Sequence, residues 1–361
     1  MQGLLHPFLF QLKRAPLVKA ALLPVLFPAA LLLAGCSTVS LDTPTGAAAG
    51  SGSDSPQLQM LRTITSQQDR LYRVAAPLLV NNTSLCKGNV RNLIGFSAKT
   101  KYSYSEDYVG AATALGLEER LKVTGVLNDS GAARAGVKRG DILTSVQDQP
   151  MPQGPNAERQ AASVLGPLVG SRSNVKLGLS RNGSPLSVNV PLTQACGFGI
   201  ELGNVDSVNA YSDGRRVLVT RGMLNFARND TEVAYVLAKE LAHNALGHST
   251  RQQMSATVGG IIDNMTRVTP DTSMLSGTAG VKPMPQELDA AADTLALYML
   301  ARSGYSIDGA AAFWQRLADQ YPVTVLNGYT AVHPATAYRL AAIRKTADEI
   351  KAKQKAKKTL T

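Results

Sequence analysis

The sequence predicts an α+β protein, in which a mainly helical domain with a small edge sheet is interrupted by a second, β-rich domain. Apolar residues recur at helical spacing from Gln57 to about Leu79, and residues 286–301 also form a predicted helix. Between them, residues 121–126 are typical of a strand, and residues 175–190 of a hairpin that turns at Asn182-Gly183. At 361 residues the chain is long enough for two or three domains and a substantial core.

Residues 1–35 have the pattern of a bacterial lipoprotein signal peptide. Basic residues precede an apolar run, from 20 to 33, that is too short to be a comfortable membrane-spanning helix. The segment Leu33-Ala34-Gly35-Cys36 resembles the lipoprotein cleavage box, which implies that Cys36 is lipidated and begins the mature chain. Ser37 fits sorting to the outer membrane, so the expected location is the periplasm, with a lipid anchor at Cys36. An ordinary signal peptide with a chance cysteine is the alternative.

Residues 36–57 are rich in Ser, Thr, Gly, Ala and Pro, which predicts a flexible tether between membrane and domain. The formal charge is +11, and the three leader cations leave +8 on the mature chain, much of it between residues 345 and 358. Such a basic tail is usually a solvated helix end and occasionally contacts anionic lipid headgroups. No basic patch is interleaved with aromatic residues, so nucleic acid is not an expected partner.

Cys86 and Cys196 remain after Cys36, and an oxidising compartment favours one disulfide between them. Two buried free thiols are the alternative.

These cysteines bracket a predicted domain over residues 105–193. Its segment 130–143, with the turn Gly140-Asp141-Ile142-Leu143, resembles a bacterial PDZ domain, a fold that captures extended peptides by strand addition. The candidate loop for binding a peptide carboxylate is Leu115-Gly116-Leu117. A spacer that shields the neighbouring domain is the alternative role.

The most specific motif lies in a helix that begins near Asp230 with an acidic first turn. Zinc peptidases carry H-E-x-x-H on such a helix, with two histidine ligands one turn apart and a glutamate general base after the first. Glu240 and His243 occupy the second and fifth positions of this motif. Lys239 stands in the place of the first histidine.

Together with its surroundings, this motif resembles the HtpX and CAAX-prenyl-protease family of gluzincin metallopeptidases. The resemblance covers about residues 195–350 and implies a peptidase-like domain built from residues 58–104 and 194–361. The matching segments are 215–224, 289–293, 301–305, Phe313-Trp314 and His333-Pro334. The third zinc ligand of the family falls on Asp289. Asp293 matches an aspartate that contacts the ligand residues without binding the metal.

Two of the three ligand positions depart from the family pattern, because Lys239 replaces a histidine and Asp289 a glutamate. A protonated lysine has no lone pair and repels a metal ion. The resemblance implies that His333 lies near the metal and is a possible compensating ligand. His248 follows His243 by five residues, about 140° around the helix, so we expect it to support the site rather than ligate.

Three functions follow. The first is a pseudopeptidase that binds unfolded or extended polypeptide segments, with zinc absent or weakly bound and the Lys239 ammonium offsetting Glu240, Asp289 and Asp293. The second is an active zinc metalloendopeptidase of periplasmic protein quality control that uses His243, Asp289 and His333. The third is a PDZ-type peptide-binding adaptor. Zinc content and dependence on Glu240 discriminate between the first two.

Overall fold

The computed structural model describes residues 54–275, 281–321 and 333–360. The predicted leader and most of the tether, with Cys36, lie outside the described residues. From Ser55 onwards the described chain belongs to one compact unit with helices and antiparallel sheet, as expected for an α+β protein. In these ranges every helix is too short or too polar to cross a membrane.

The long predicted helices are present, together with several shorter α-helices. In chain order the α-helices of the described residues are α1 (Pro56–Val80), α2 (Val109–Ala114), α3 (Gly131–Arg134), α4 (Ala157–Ser171), α5 (Arg221–Phe226), α6 (Asp230–Leu246), α7 (His248–Arg251), α8 (Ser255–Met265), α9 (Gln286–Arg302), α10 (Ala310–Gln320) and α11 (Ala337–Lys355).

The strands fall into three sheets. They are β1 (Val90–Leu93), β2 (Phe96–Lys99), β3 (Lys122–Val126), β4 (Ile142–Val146), β5 (Gln149–Pro150), β6 (Asn174–Arg181), β7 (Ser184–Pro191), β8 (Thr193–Cys196), β9 (Gly199–Gly203), β10 (Ala210–Ser212) and β11 (Arg216–Thr220).

The β-rich part is a six-stranded antiparallel sheet with the order β2-β3-β4-β6-β7, and β5 pairs with β4. The predicted hairpin is β6–β7, whose turn residues Asn182 and Gly183 both have positive φ, 50° and 82°. This sheet has its own core, in which Val123, Leu143 and Leu177 are buried. Because β2 starts at residue 96, the β-rich part begins earlier than residue 105, the predicted boundary.

A two-stranded stem joins the β-rich part to the helical part. β1 pairs with β8 in antiparallel register from Val90↔Cys196 to Leu93↔Thr193. Next to this pairing, Cys86 is bonded to Cys196, with 5.7 Å between their Cα atoms and a sequence separation of 110. The disulfide therefore closes the loop that contains the whole sheet.

The helical part contains the small three-stranded sheet, in the order β10-β11-β9. Strand β11 is central in this sheet and not an edge strand, because it pairs in parallel with β9 on one side and antiparallel with β10 on the other. Full pairing suits its burial, since Val217, Leu218 and Val219 are each 0% exposed. Helix α6 packs on β10 and β11, and helices α1 and α9 pack on α6. The site therefore lies in the main hydrophobic core.

Candidate active site

Helix α6 carries the motif residues and is buried on all sides from Val233 to Ala245. It begins at Asn229, whose side chain accepts a hydrogen bond from the Glu232 N–H at 3.0 Å, and ends at Gly247 in the left-handed conformation. A helix buried all round places its polar residues in the interior as well. Lys239, Glu240 and His243 are each 0% exposed.

Helix α9 packs against α6 and supplies two aspartates one turn apart, as the sequence predicts. The Lys239 Nζ donates to Asp289 Oδ1 at 2.8 Å and to Asp293 Oδ1 at 3.1 Å. The ammonium also lies 5.6 Å from the ring centroid of Trp314, a cation–π distance. Lys239 therefore links the two carboxylates, and all three groups are buried.

Three histidines meet at the same place. His333 Nδ1 is 2.7 Å from Asp289 Oδ1, and His243 Nε2 is 3.2 Å from that oxygen without the alignment of a hydrogen bond. His248 Nδ1 lies 2.9 Å from His243 Nδ1, so one of these two nitrogens carries the shared proton. As predicted, His248 contacts His243 and is not part of the group around Asp289.

Arg339 completes the site, and the sequence analysis did not identify it. Its guanidinium donates to Asp293 Oδ2 at 2.7 Å and Oδ1 at 3.0 Å, and to the carbonyl oxygen of His333 at 2.8 Å. Arg339 is 1% exposed and lies 5.7 Å from the Trp314 ring. It connects α11, α9 and the His-Pro turn. The sequence offers one signal for Arg339, namely its position six residues after His333 and early in a helix.

The charges of the site are unevenly paired. Burial alone would raise the pKa of Asp289, but the Lys239 ammonium, followed by His333, overrides this effect and lowers that pKa well below its usual range. Burial lowers the pKa of His243 well below 6.5 and that of His248 to about 4. These two imidazoles are therefore neutral at pH 7. Glu240 Oε1 lies 3.7 Å from His333 Nε2, and neither of the buried Glu240 oxygens has a hydrogen-bond partner among the described residues.

The donor set suits a zinc ion in number but not in charge. His243, Asp289 and His333 each place one ligand atom within 4.8 Å of the others. A zinc ion on Asp289 Oδ1 would lie about 2.1 Å from that oxygen, and Lys239 Nζ is 2.8 Å from it. The ion and the ammonium would then be at most about 5 Å apart, a repulsion of at least about 7 kcal/mol at an effective dielectric constant of about 20. The ammonium and a catalytic zinc ion do not fit together here.

The candidate peptide-carboxylate loop has no free donors. The N–H groups of Leu115, Gly116 and Leu117 donate to the carbonyl oxygens of Ala111, Thr113 and Ala112 at 2.8–3.0 Å, because the loop closes the end of α2. A carboxylate would have to displace these hydrogen bonds, so the assignment to residues 115–117 is wrong. β2, in contrast, lies at the edge of the six-stranded sheet and pairs only with β3.

Comparison with known proteins agrees with this geometry. Residues 187–347 match the sequence model of Peptidase family M48. The chain is also 30% identical over 171 residues to a beta-barrel assembly-enhancing protease of Yersinia pestis, which is 43% of this chain and 35% of that protein. Residues 187–347 are therefore similar to the M48 peptidases. The corresponding protease of Escherichia coli K12 is 27% identical over 175 residues, again 35% of its length.

A further relative lies outside the M48 peptidases. The periplasmic pH-dependent serine endoprotease DegQ of Escherichia coli K12 is 38% identical over 84 residues, 23% of this chain and 17% of that protein. Among solved structures, the HtrA3 PDZ domain bound to a phage-derived ligand is 20% identical, covering 29% of this chain and 88% of that one, with a TM-score of 0.22. The chain thus spans about a third, or less, of each curated relative.

Proposed function

We propose that this protein is a noncatalytic member of the M48 peptidases that binds extended or unfolded polypeptide segments. The observation that carries the proposal is the position of Lys239, whose ammonium bridges Asp289 and Asp293 at 2.8 and 3.1 Å. M48 peptidases generally depend on zinc, and here a fixed cation supplies the positive charge that those carboxylates require. The domain keeps its fold because the buried carboxylates of Asp289 and Asp293 remain paired.

Closure of the site supports the absence of catalysis. The groups that would act on a peptide bond, Glu240, His243 and Asp289, are 0% exposed, and His333 is 5% exposed. Val281 and Met284 are buried with α8 against the three-stranded sheet. In addition, Ser249 Oγ donates to Ser212 O at 2.5 Å, which ties the outer strand β10 to the segment after α6. In the described part of the chain, the groups of the site are therefore closed to solvent.

The edge of β2 is the place where we propose that an extended polypeptide binds. One side of β2 pairs with β3, and the other side presents main-chain N–H and C=O groups that can extend the sheet. Phe96 at the start of β2 is buried in the core of the sheet, which holds the strand in place. The likeness to DegQ, which is named as an endoprotease, supports a polypeptide as the partner.

Metal analysis tests the loss of catalysis. We expect the purified native protein to carry no stoichiometric zinc, and the variant Lys239→His/Asp289→Glu to bind zinc because it restores three ligands. Lys239→Gln is the control, since it removes the charge without adding a strong metal ligand. Stoichiometric zinc in the native protein, together with proteolysis that Glu240→Gln abolishes, would overturn the proposal.

That outcome would support the second candidate, an active zinc endopeptidase. The specific observation in its favour is the cluster of His243, Asp289 and His333, with His243 Nε2 and Asp289 Oδ2 buried and without hydrogen-bond partners. Lys239 would then have to lose its proton or move away from Asp289.

Hydrogen exchange tests the peptide site separately. An unfolded model polypeptide should slow amide exchange in residues 96–99 and leave α6 unchanged. Protection of α6 or α9 instead would place binding in the peptidase cleft, and no protection in either part would refute the proposed binding.

For location, we propose the periplasm, with attachment to the outer membrane through a lipid on Cys36. The name of the relative DegQ includes the word periplasmic, which supports this proposal.

A further inference from the structure

The exposed side of α11 carries a cluster of cations that the site does not use. Ile343, Ala347 and Ile350 anchor the helix in the core. Along the opposite side and just beyond the helix, exposed cations make no side-chain hydrogen bond or ion pair with any residue of the described ranges. These residues, called the basic patch below, are Arg344, Lys345, Lys355, Lys357 and Lys358.

The end of α11 holds a lysine where the backbone favours glycine. The Lys358 N–H donates to Lys353 O at 2.9 Å, and the Lys357 N–H to Gln354 O at 3.0 Å, which is the Schellman pattern. Lys357 occupies its left-handed position, with φ of 53°. A β-carbon is unfavourable in that conformation, and glycine is the usual residue. Lys357 therefore places a cation at the C-terminal end of α11, in a conformation that glycine usually adopts.

An exposed tyrosine extends the patch. Tyr338 is 53% exposed and, with Val164, is one of the two exposed large hydrophobic residues in the described part of the chain. It precedes Lys345 by seven residues on α11 and therefore shares its side of the helix. Tyrosine and lysine side by side suit the headgroup region of a membrane, where an amphipathic ring and a cation are both favourable.

Arg302 fixes this region relative to α1. Its guanidinium donates to Leu360 O at 2.8 Å and to Asn81 O, just after α1, at 3.2 Å. The residues after α11 therefore lie at the C-terminal end of α1, a helix of 25 residues and about 37 Å. The predicted tether joins at the other end of α1. Its roughly 20 residues can span up to about 70 Å, so a lipid anchor and the basic patch can both contact one membrane.

We propose that the basic patch binds an anionic phospholipid surface and acts as a second membrane contact besides the predicted anchor at Cys36. Long exposed cations without a concave pocket suit a fluid surface of negative charge. Two contacts at opposite ends of α1 would hold that helix along the membrane.

Vesicle flotation tests the proposal with residues 37–361, so that neither the apolar leader nor an acyl anchor contributes. We expect binding to vesicles with 30% phosphatidylglycerol to exceed binding to phosphatidylcholine vesicles and to weaken as salt rises from about 0.05 to 0.5 M. Each cation near the surface contributes about fivefold. Lys355→Glu/Lys357→Glu/Lys358→Glu should therefore weaken binding by about 100-fold or more.

The matched control is Arg172→Glu/Arg228→Glu/Lys282→Glu, which makes the same change in net charge at exposed sites elsewhere. Equal losses for the two triple variants would overturn the proposal, as would equal binding to both vesicle types. Lys357→Gly separates charge from folding, because it should weaken binding about fivefold while the melting temperature does not fall. If the patch binds a protein partner instead of lipid, the anchor-free chain with an unchanged patch would float with neither vesicle type, which would overturn the proposal.

Discussion

Replacing Lys239 with methionine removes the buried cation and keeps most of the side-chain volume. Asp289 then loses a hydrogen bond of 2.8 Å and Asp293 one of 3.1 Å, and both carboxylates remain in the core. Removing one partner of a buried ion pair typically costs about 3–5 kcal/mol, because the remaining charge is uncompensated. We expect a loss of that size in the free energy of unfolding, or roughly 10 °C in melting temperature. Urea and thermal denaturation at pH 7, followed by circular dichroism, measure it.

Two further variants make the experiment decisive. Lys351→Met removes an exposed ammonium that lies 2.6 Å from Asp308 and should leave the melting temperature unchanged, because both side chains are solvated. Lys239→Met/Asp289→Asn removes a cation and an anion together and should recover much of the lost stability. The reasoning is refuted if Lys239→Met behaves like Lys351→Met, or if adding Asp289→Asn only deepens the loss.

Other predictions concern groups away from the site. Replacing both Cys86 and Cys196 with serine should reduce stability by up to about 4–5 kcal/mol, since the disulfide closes a loop of 110 residues; equal denaturation curves with and without reductant would contradict this. Burial raises the pKa of Glu201 from 4.5 to about 7, so its folded form favours the proton and stability falls as pH rises through that window. Glu201→Gln should therefore stabilise the protein at pH 8, by at most about 3 kcal/mol, with little effect at pH 4.5, as melting temperatures would show. Cys36→Ser should release the protein from the membrane fraction or leave an uncleaved precursor, and unchanged maturation and fractionation would exclude the anchor.

Local patterns were enough to predict the main helices, the β6–β7 hairpin and the helix faces on which the motif residues lie. Helical periodicity placed α1 and α9 within one or two residues of their ends, and the Asn182-Gly183 turn placed the β6–β7 hairpin. Spacing of one helical turn put Lys239 beside His243 and Asp289 beside Asp293, because positions i and i+4 share a helix face whatever the tertiary fold. The departure at Lys239 is visible in the sequence itself.

Only the tertiary structure decided which segment of the chain packs against each helix or strand. Strand β11 is central in its sheet, and β2 joins the six-stranded sheet before residue 105, the predicted boundary. The N–H groups of residues 115–117 donate to carbonyl oxygens of α2. Each of these outcomes depends on which chain segment packs alongside. Arg339 is the clearest case. A lone arginine early in a helix is normally solvated, and its bonds to Asp293 and the His333 carbonyl arise only when α9, α11 and the His-Pro turn converge. Sequence spacing sets the face on which a side chain lies, whereas long-range packing determines its partner and whether water is excluded from the pair.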